Sequence, residues 1–139
     1  LYIIYSFFIE SKLFSIYLTL LTYLFLSITL RSSLSRYHRK GMTLVKKEKY
    51  EEAIEAFQKS YSFFSKYTWI DQYRFITMLS SSKISYREMA LLNIAFCYSQ
   101  IDNGKNSKDY YLKTIQYFPN SEVAKASLKM IRSIKNQNE

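Results

Sequence analysis

Two stretches of this chain place small and aromatic residues at the same helical intervals, and this duplication restricts the fold more than any other feature. In the first, Ala53, Ile54, Phe57, Tyr61 and Phe64 recur every three or four residues, the spacing that lines up one face of an α-helix. Glu51, Glu52 and Glu55 open that stripe, and Lys59 and Lys66 lie toward its end; acids suit the positive end of the helix dipole. Another helical run precedes it from Tyr37, with a break around residues 47–50. The second stretch repeats the plan. A run from Tyr86 to about Ile101 meets a polar break at Asp102, Asn103 and Gly104, and a further run from about Ser107 to Phe118 is stopped by Pro119. Ser85 and Glu88 have capping-box spacing, which marks a helix start. Only two Gly and one Pro occur in 139 residues, too few for the many tight turns of a β-rich fold. The fold class these features predict is all-α.

The paired runs resemble the tetratricopeptide repeat, a helix–turn–helix unit of about 34 residues with small and aromatic residues at set positions. In the first copy Tyr37 stands for the leading aromatic, Gly41 for the small residue and Leu44 for the following tyrosine; Tyr50 marks the turn. Ala53, Phe57 and Ser60 then occupy the small, aromatic and small positions of the second helix. In the second copy Leu91, Ile94, Ala95 and Tyr98 fill the first helix, Ser107, Tyr111 and Thr114 the second, and Pro119 ends it. The resemblance covers residues 34–65 and 88–121 and implies an α-solenoid of nested hairpins. Gly41, Ala53, Ala95 and Ser107 would sit where helices come closest, and Phe57 and Tyr111 would fill the space between hairpins. Two positions depart from the pattern: Lys40 replaces a leucine and Ser65 replaces the first proline.

The copies start 54 residues apart, which leaves an insert. It reads as a short extra helix through Trp69, Tyr73 and Ile76 followed by a serine-rich link, or as an extension of one repeat helix. The tail places Val123, Ser127, Met130, Ile131 and Ile134 on one helical face and reads as a cap, because a solenoid end must present a polar outer surface. The expected organisation is a hydrophobic helix in 1–30, a basic link in 31–36, repeats in 37–65 and 86–120, the insert in 66–85 and the capping helix in 121–139. Two repeats are fewer than the usual minimum of about three. The insert or the tail is therefore expected to pack on the hairpins, or two copies of the chain to pair as a homo-oligomer.

Residues 13–30, LFSIYLTLLTYLFLSITL, contain no charge, Gly or Pro over 18 residues, near the lower limit for a transmembrane helix. Arg31, Arg36, Arg39 and Lys40 follow, whereas Lys12 upstream is offset by Glu10. The excess of basic residues on the C-terminal side predicts a cytoplasmic repeat domain behind a single membrane pass. Residues 1–9 are apolar too, so an earlier span turning at Glu10, Ser11 and Lys12 is an alternative that keeps the same orientation. A buried helix lying on the repeats is another.

No catalytic set is legible. A single histidine excludes paired-His metal sites, and His–Cys catalysis would require His38 and Cys97 to meet, which first helices facing different ways do not allow. No enzyme activity, metal or cofactor is expected. Cys97, among Ile94, Ala95, Phe96 and Tyr98, reads as a buried inert thiol. The net charge of +9 lies wholly outside residues 1–30, but no run of five like charges or RNA-binding signature accompanies it, so nucleic acid is not expected. The resemblance instead implies a peptide groove lined by first helices, with His38, Arg39, Met42, Val45 and Lys46 from one copy and Leu92, Asn93, Phe96 and Gln100 from the other. Asn93 matches the asparagine of chaperone-tail carboxylate clamps, but His38 and Met42 stand where such a clamp has Lys and Asn. The expected role is a membrane-anchored adaptor for a protein or peptide partner. The alternatives are a structural or assembly subunit of a membrane complex and a soluble basic RNA-binding repeat protein.

Overall fold

The computed structural model describes residues 2–3 and 12–137. Residues 4–11, which carry most of the alternative upstream span and its turn, lie outside the described residues. Eight helices follow one another and no strand occurs among the described residues. They are α1 (Lys12–Leu34), α2 (Arg36–Lys46), α3 (Tyr50–Lys66), α4 (Thr68–Gln72), α5 (Arg74–Thr77), α6 (Tyr86–Gln100), α7 (Gly104–Tyr117) and α8 (Glu122–Gln137). The chain divides into two compact units: α1 with Tyr73–Ser81, and Ser35–Gln72 with the residues from Ser82 onward.

In the first unit α1 runs unbroken for 23 residues with a mean hydropathy of 1.9 over its most apolar window. It is long and apolar enough to cross a membrane. Its hydroxyls are turned inward on the backbone: Thr19, Thr22 and Thr29 donate to the carbonyls of Ser15, Leu18 and Phe25 at 2.8, 2.6 and 2.8 Å. This back-bonding removes the cost of a bare hydroxyl in an apolar setting. Large apolar side chains such as Leu13, Tyr17, Leu21, Phe25 and Ile28 are exposed along it. The helix continues through Arg31–Leu34, where the sequence reads as a link, because no Gly or Pro interrupts it.

The second unit is built from two helical hairpins and a closing helix. α2 packs on α3, α6 on α7, α3 on α6, and α8 on α7. The two hairpin turns are copies of one another. Glu48 and Asp102, 54 residues apart, both take a left-handed conformation, at φ 58° and 55°. In the first turn Lys49 N–H returns to the Leu44 carbonyl and Glu48 N–H to that of Val45, each at 3.0 Å. In the second, Asn103 N–H returns to the Tyr98 carbonyl at 2.9 Å. These are the bonds of a Schellman helix end, which satisfies carbonyls the helix leaves unpaired. The left-handed residue is Asp102 rather than Gly104, which opens α7 as an ordinary helical position.

Small residues are buried where the helices meet: Gly41, Ala53, Ala95 and Ser107. Phe57 is fully buried, in a core with Leu44, Ile54, Ile94 and Cys97. Tyr111 belongs to a second core with Leu92, Ala95, Ala124 and Leu128. Pro119 is exposed, two residues beyond the end of α7. A proline biases its predecessor away from the helical region, and Phe118 sits at φ −134°, ψ 76°.

The insert forms two short helices split at Tyr73 rather than one. Its α4 carries the buried Asp71, whose carboxylate accepts Tyr86 N–H at 2.8 Å and Arg87 N–H at 3.1 Å. With Ser85 Oγ accepting Glu88 N–H at 3.1 Å, the first three amides of α6 are all satisfied. Unpaired amides of this kind are what a helix start must otherwise leave to water. In the tail, α8 packs through Ala124, Leu128 and Ile131. Of the face predicted from sequence, Ile131 packs and Ser127 is half-buried, whereas Val123, Met130 and Ile134 are exposed. Two apolar stripes overlap on α8, and the small Ala124 lets the helix approach α7 closely, so that stripe is the one buried.

Candidate functional site

A groove of about 530 Å³ opens where α2, α6, α7 and α8 converge. Helical spacing sets its walls. α2 contributes His38 and Met42, one turn apart, and α6 contributes Met89, Leu92, Asn93 and Phe96, a run at i, i+3, i+4 and i+7 that faces one way. Tyr111 comes from α7, Val123 and Ser127 from α8, and Ile84 from the segment before α6.

The lining is mainly apolar, with a few polar atoms held in place. Asn93 Nδ2 donates to Met42 Sδ at 3.7 Å. The Phe96 ring, partly exposed, meets Tyr50 edge-on at 6.4 Å. His38 is buried between the edges of Phe57 and Tyr86, each with ring centroids at 5.4 Å. Its Nδ1 has no hydrogen-bond partner, and burial lowers its pKa from the usual 6.5. The imidazole is therefore neutral at physiological pH, and the groove floor carries no charge there.

Of the nine groove residues read from sequence, the structure brings together His38, Met42, Leu92, Asn93 and Phe96. Arg39 and Lys46 are exposed on α2 outside the lining, as is Gln100 near the end of α6, where its amide donates to Ser99 Oγ at 3.4 Å. Val45 packs against the first core instead. Met89 lies one turn before Asn93 on the same stripe and was open to the same spacing argument. Val123 and Ser127 were not, because no local signal says which side of α8 closes the groove. A neighbouring cavity of about 520 Å³ is lined by Lys83, Ile84, Glu88 and residues 117–123.

Cys97 is fully buried, and burial pushes its thiol up to about 11, so the nucleophilic thiolate is scarce. Among the described residues no three His, Cys, Asp or Glu side chains cluster to hold a metal.

Residues 34–66 match the family model described as tetratricopeptide repeat. No curated protein and no solved structure matches the chain. The matched residues span α2 and α3, and α6 with α7 repeats their layout, turn for turn, 54 residues on. The chain is thus an all-helical protein with a repeated hairpin, and its first hairpin matches the tetratricopeptide repeat, a fold that typically binds protein partners.

Proposed function

We propose that this chain is a membrane-tethered adaptor whose groove takes an apolar segment of a protein partner on the cytoplasmic side. The observation that carries the reading is the groove itself, with Met42 and Phe96 presenting apolar surface to solvent beside the anchored amide of Asn93. Methionine side chains adapt their shape to different partners, and Met42 and Met89 both line it. Arg39 and Lys46 lie exposed on the same helix as His38 and Met42, so a partner with acidic residues flanking its apolar ones is favoured by charge complementarity. The tether is α1, and the cytoplasmic side follows from the basic residues that succeed it.

The test is photo-crosslinking in native membranes from a reactive residue in the groove, with carbonate extraction to establish integral attachment. With the reactive residue placed at Val123, which also lines the groove, a discrete protein adduct that is lost when Met42→Ala/Phe96→Ala is added without changing the melt supports the reading. Identical capture by that variant, or release of the chain by carbonate, refutes it.

A second reading, a structural or assembly subunit of a larger membrane complex, is favoured by the exposed Val123, Met130 and Ile134 of α8. Purification in mild detergent separates the two, since a subunit keeps a fixed stoichiometric partner.

A further inference from the structure

We infer that residues 73–79 are a second membrane-embedded element, seated on α1 and exposing its apolar side chains to lipid acyl chains. This rests on the reading of α1 as a membrane helix.

The segment Tyr73–Ser81 belongs to the same compact unit as α1. At the midpoint of α1, Tyr23 donates its hydroxyl to the carbonyl of Ile76 at 2.7 Å. A phenol in the middle of an apolar span needs an acceptor, because an unpaired polar group in hydrocarbon costs several kcal/mol. The phenol hydroxyl lies too far out on its ring to reach the span's own carbonyls as the threonines do, and the Ile76 carbonyl supplies the acceptor.

Much of the segment's backbone is satisfied within itself. Tyr73 C=O accepts from the amides of Ile76 and Thr77 at 3.0 Å and from Thr77 Oγ1 at 3.1 Å. Arg74 C=O accepts from Met78 N–H at 3.0 Å and Ser80 N–H at 3.2 Å. Leu79, left-handed at φ 46°, turns the chain so that Ser80 reaches back. Non-helical backbone persists at membrane depth only when its polar groups are satisfied within the protein.

The side chains point to the same occupant. Tyr73, Phe75, Ile76 and Leu79 are exposed, Phe75 by 61%, while Met78 is fully buried. Leu20, Leu24 and Leu26 of α1, in the same unit, are exposed as well. Water disfavours such a face, and a bilayer that holds α1 covers it without a further partner. Arg74 is the one charge between Tyr73 and Ser82, and an arginine stem can lie along apolar surface with its head at the interface.

The test uses the full chain in phosphatidylcholine–phosphatidylglycerol vesicles with brominated acyl chains. Cys97 is buried, so a Phe75→Cys thiol takes an environment-sensitive fluorophore selectively, and a Leu21→Cys chain is labelled in parallel. Bromolipid quenching at position 75 comparable to that at 21, with both shielded from aqueous iodide, is the expected result. Quenching at 21 with iodide access at 75 overturns the embedded segment and leaves the membrane helix standing. Iodide access at both positions overturns the two together. Shielding of position 75 from bromine and iodide alike, with dimer crosslinks, assigns the face to a second copy and also overturns the proposal.

Discussion

Gly41 on α2 lies against the ring of Phe57 on α3: a β-carbon built on Gly41 falls 2.6 Å from Phe57 Cε1 and 2.8 Å from Cδ1 and Cζ. Phe57 is fully buried in the first core. Gly41→Ala is therefore expected to destabilise the repeat unit by about 1–3 kcal/mol, the range for overpacking a filled core. Gly104 is the internal control. Its β-carbon would meet nothing within 4 Å and it needs no left-handed backbone, so Gly104→Ala is expected to stabilise by about 0.5–1 kcal/mol. Urea unfolding followed by circular dichroism measures both, and equal effects of the same sign would refute the close-approach argument.

Asp71 ties the insert to the start of the second hairpin. Asp71→Ala removes the acceptor of two α6 amides and is expected to cost about 1–3 kcal/mol, as for a buried charge-assisted pair. Ser85→Ala, which removes one cap bond, is expected to cost about 1 kcal/mol. Hydrogen exchange should show the Tyr86 and Arg87 amides losing protection in the first variant and the Glu88 amide in the second.

Leu128 joins α8 to Leu92, Ala95 and Tyr111. Leu128→Ala is expected to destabilise by about 2–5 kcal/mol, whereas Met130→Ala, at an exposed site, should stay within about 0.5 kcal/mol. A comparable loss at the two positions would place the buried face of α8 elsewhere.

His38 makes the repeat unit acid-sensitive. Its folded pKa is depressed by burial below 6.5, so the unfolded chain binds more protons once the pH falls below that value. Linkage then requires stability to drop as pH falls from about 7.5 toward 5. His38→Phe should flatten that part of the profile relative to the parent chain, read from urea midpoints at each pH.

Cys97 is expected to resist alkylation. With the thiol buried and its pKa near 11, the native protein should react with iodoacetamide at mildly alkaline pH far more slowly than the chain in urea. A native rate approaching that of the unfolded chain would place the thiol at the surface.

The repeat helices were legible in the sequence because each has its own period or its own ends. Ala53, Phe57 and Phe64 recur at helical spacing, Ser85 caps with Glu88, and Pro119 stops α7. The groove was legible only in part. His38, Met42, Leu92, Asn93 and Phe96 follow from stripes on two helices whose pairing the repeat pattern implies. Arg39, Lys46 and Gln100 lie on the same helices but turn away, a difference of one or two residues around the axis that spacing alone resolves poorly.

Local sequence determined what is local: which residues are helical, where turns fall, and that residues 13–30 are apolar on every side. Tertiary packing decided the rest. It put the left-handed turn at Asp102 rather than Gly104, brought Asp71 to amides 15 residues away, chose Ala124 and Leu128 over Val123 and Met130 as the buried face of α8, and gave Tyr23 its acceptor at Ile76. Each of these depends on the shape and hydrogen-bonding need of a surface contributed by another segment, and no period within the segment itself encodes that.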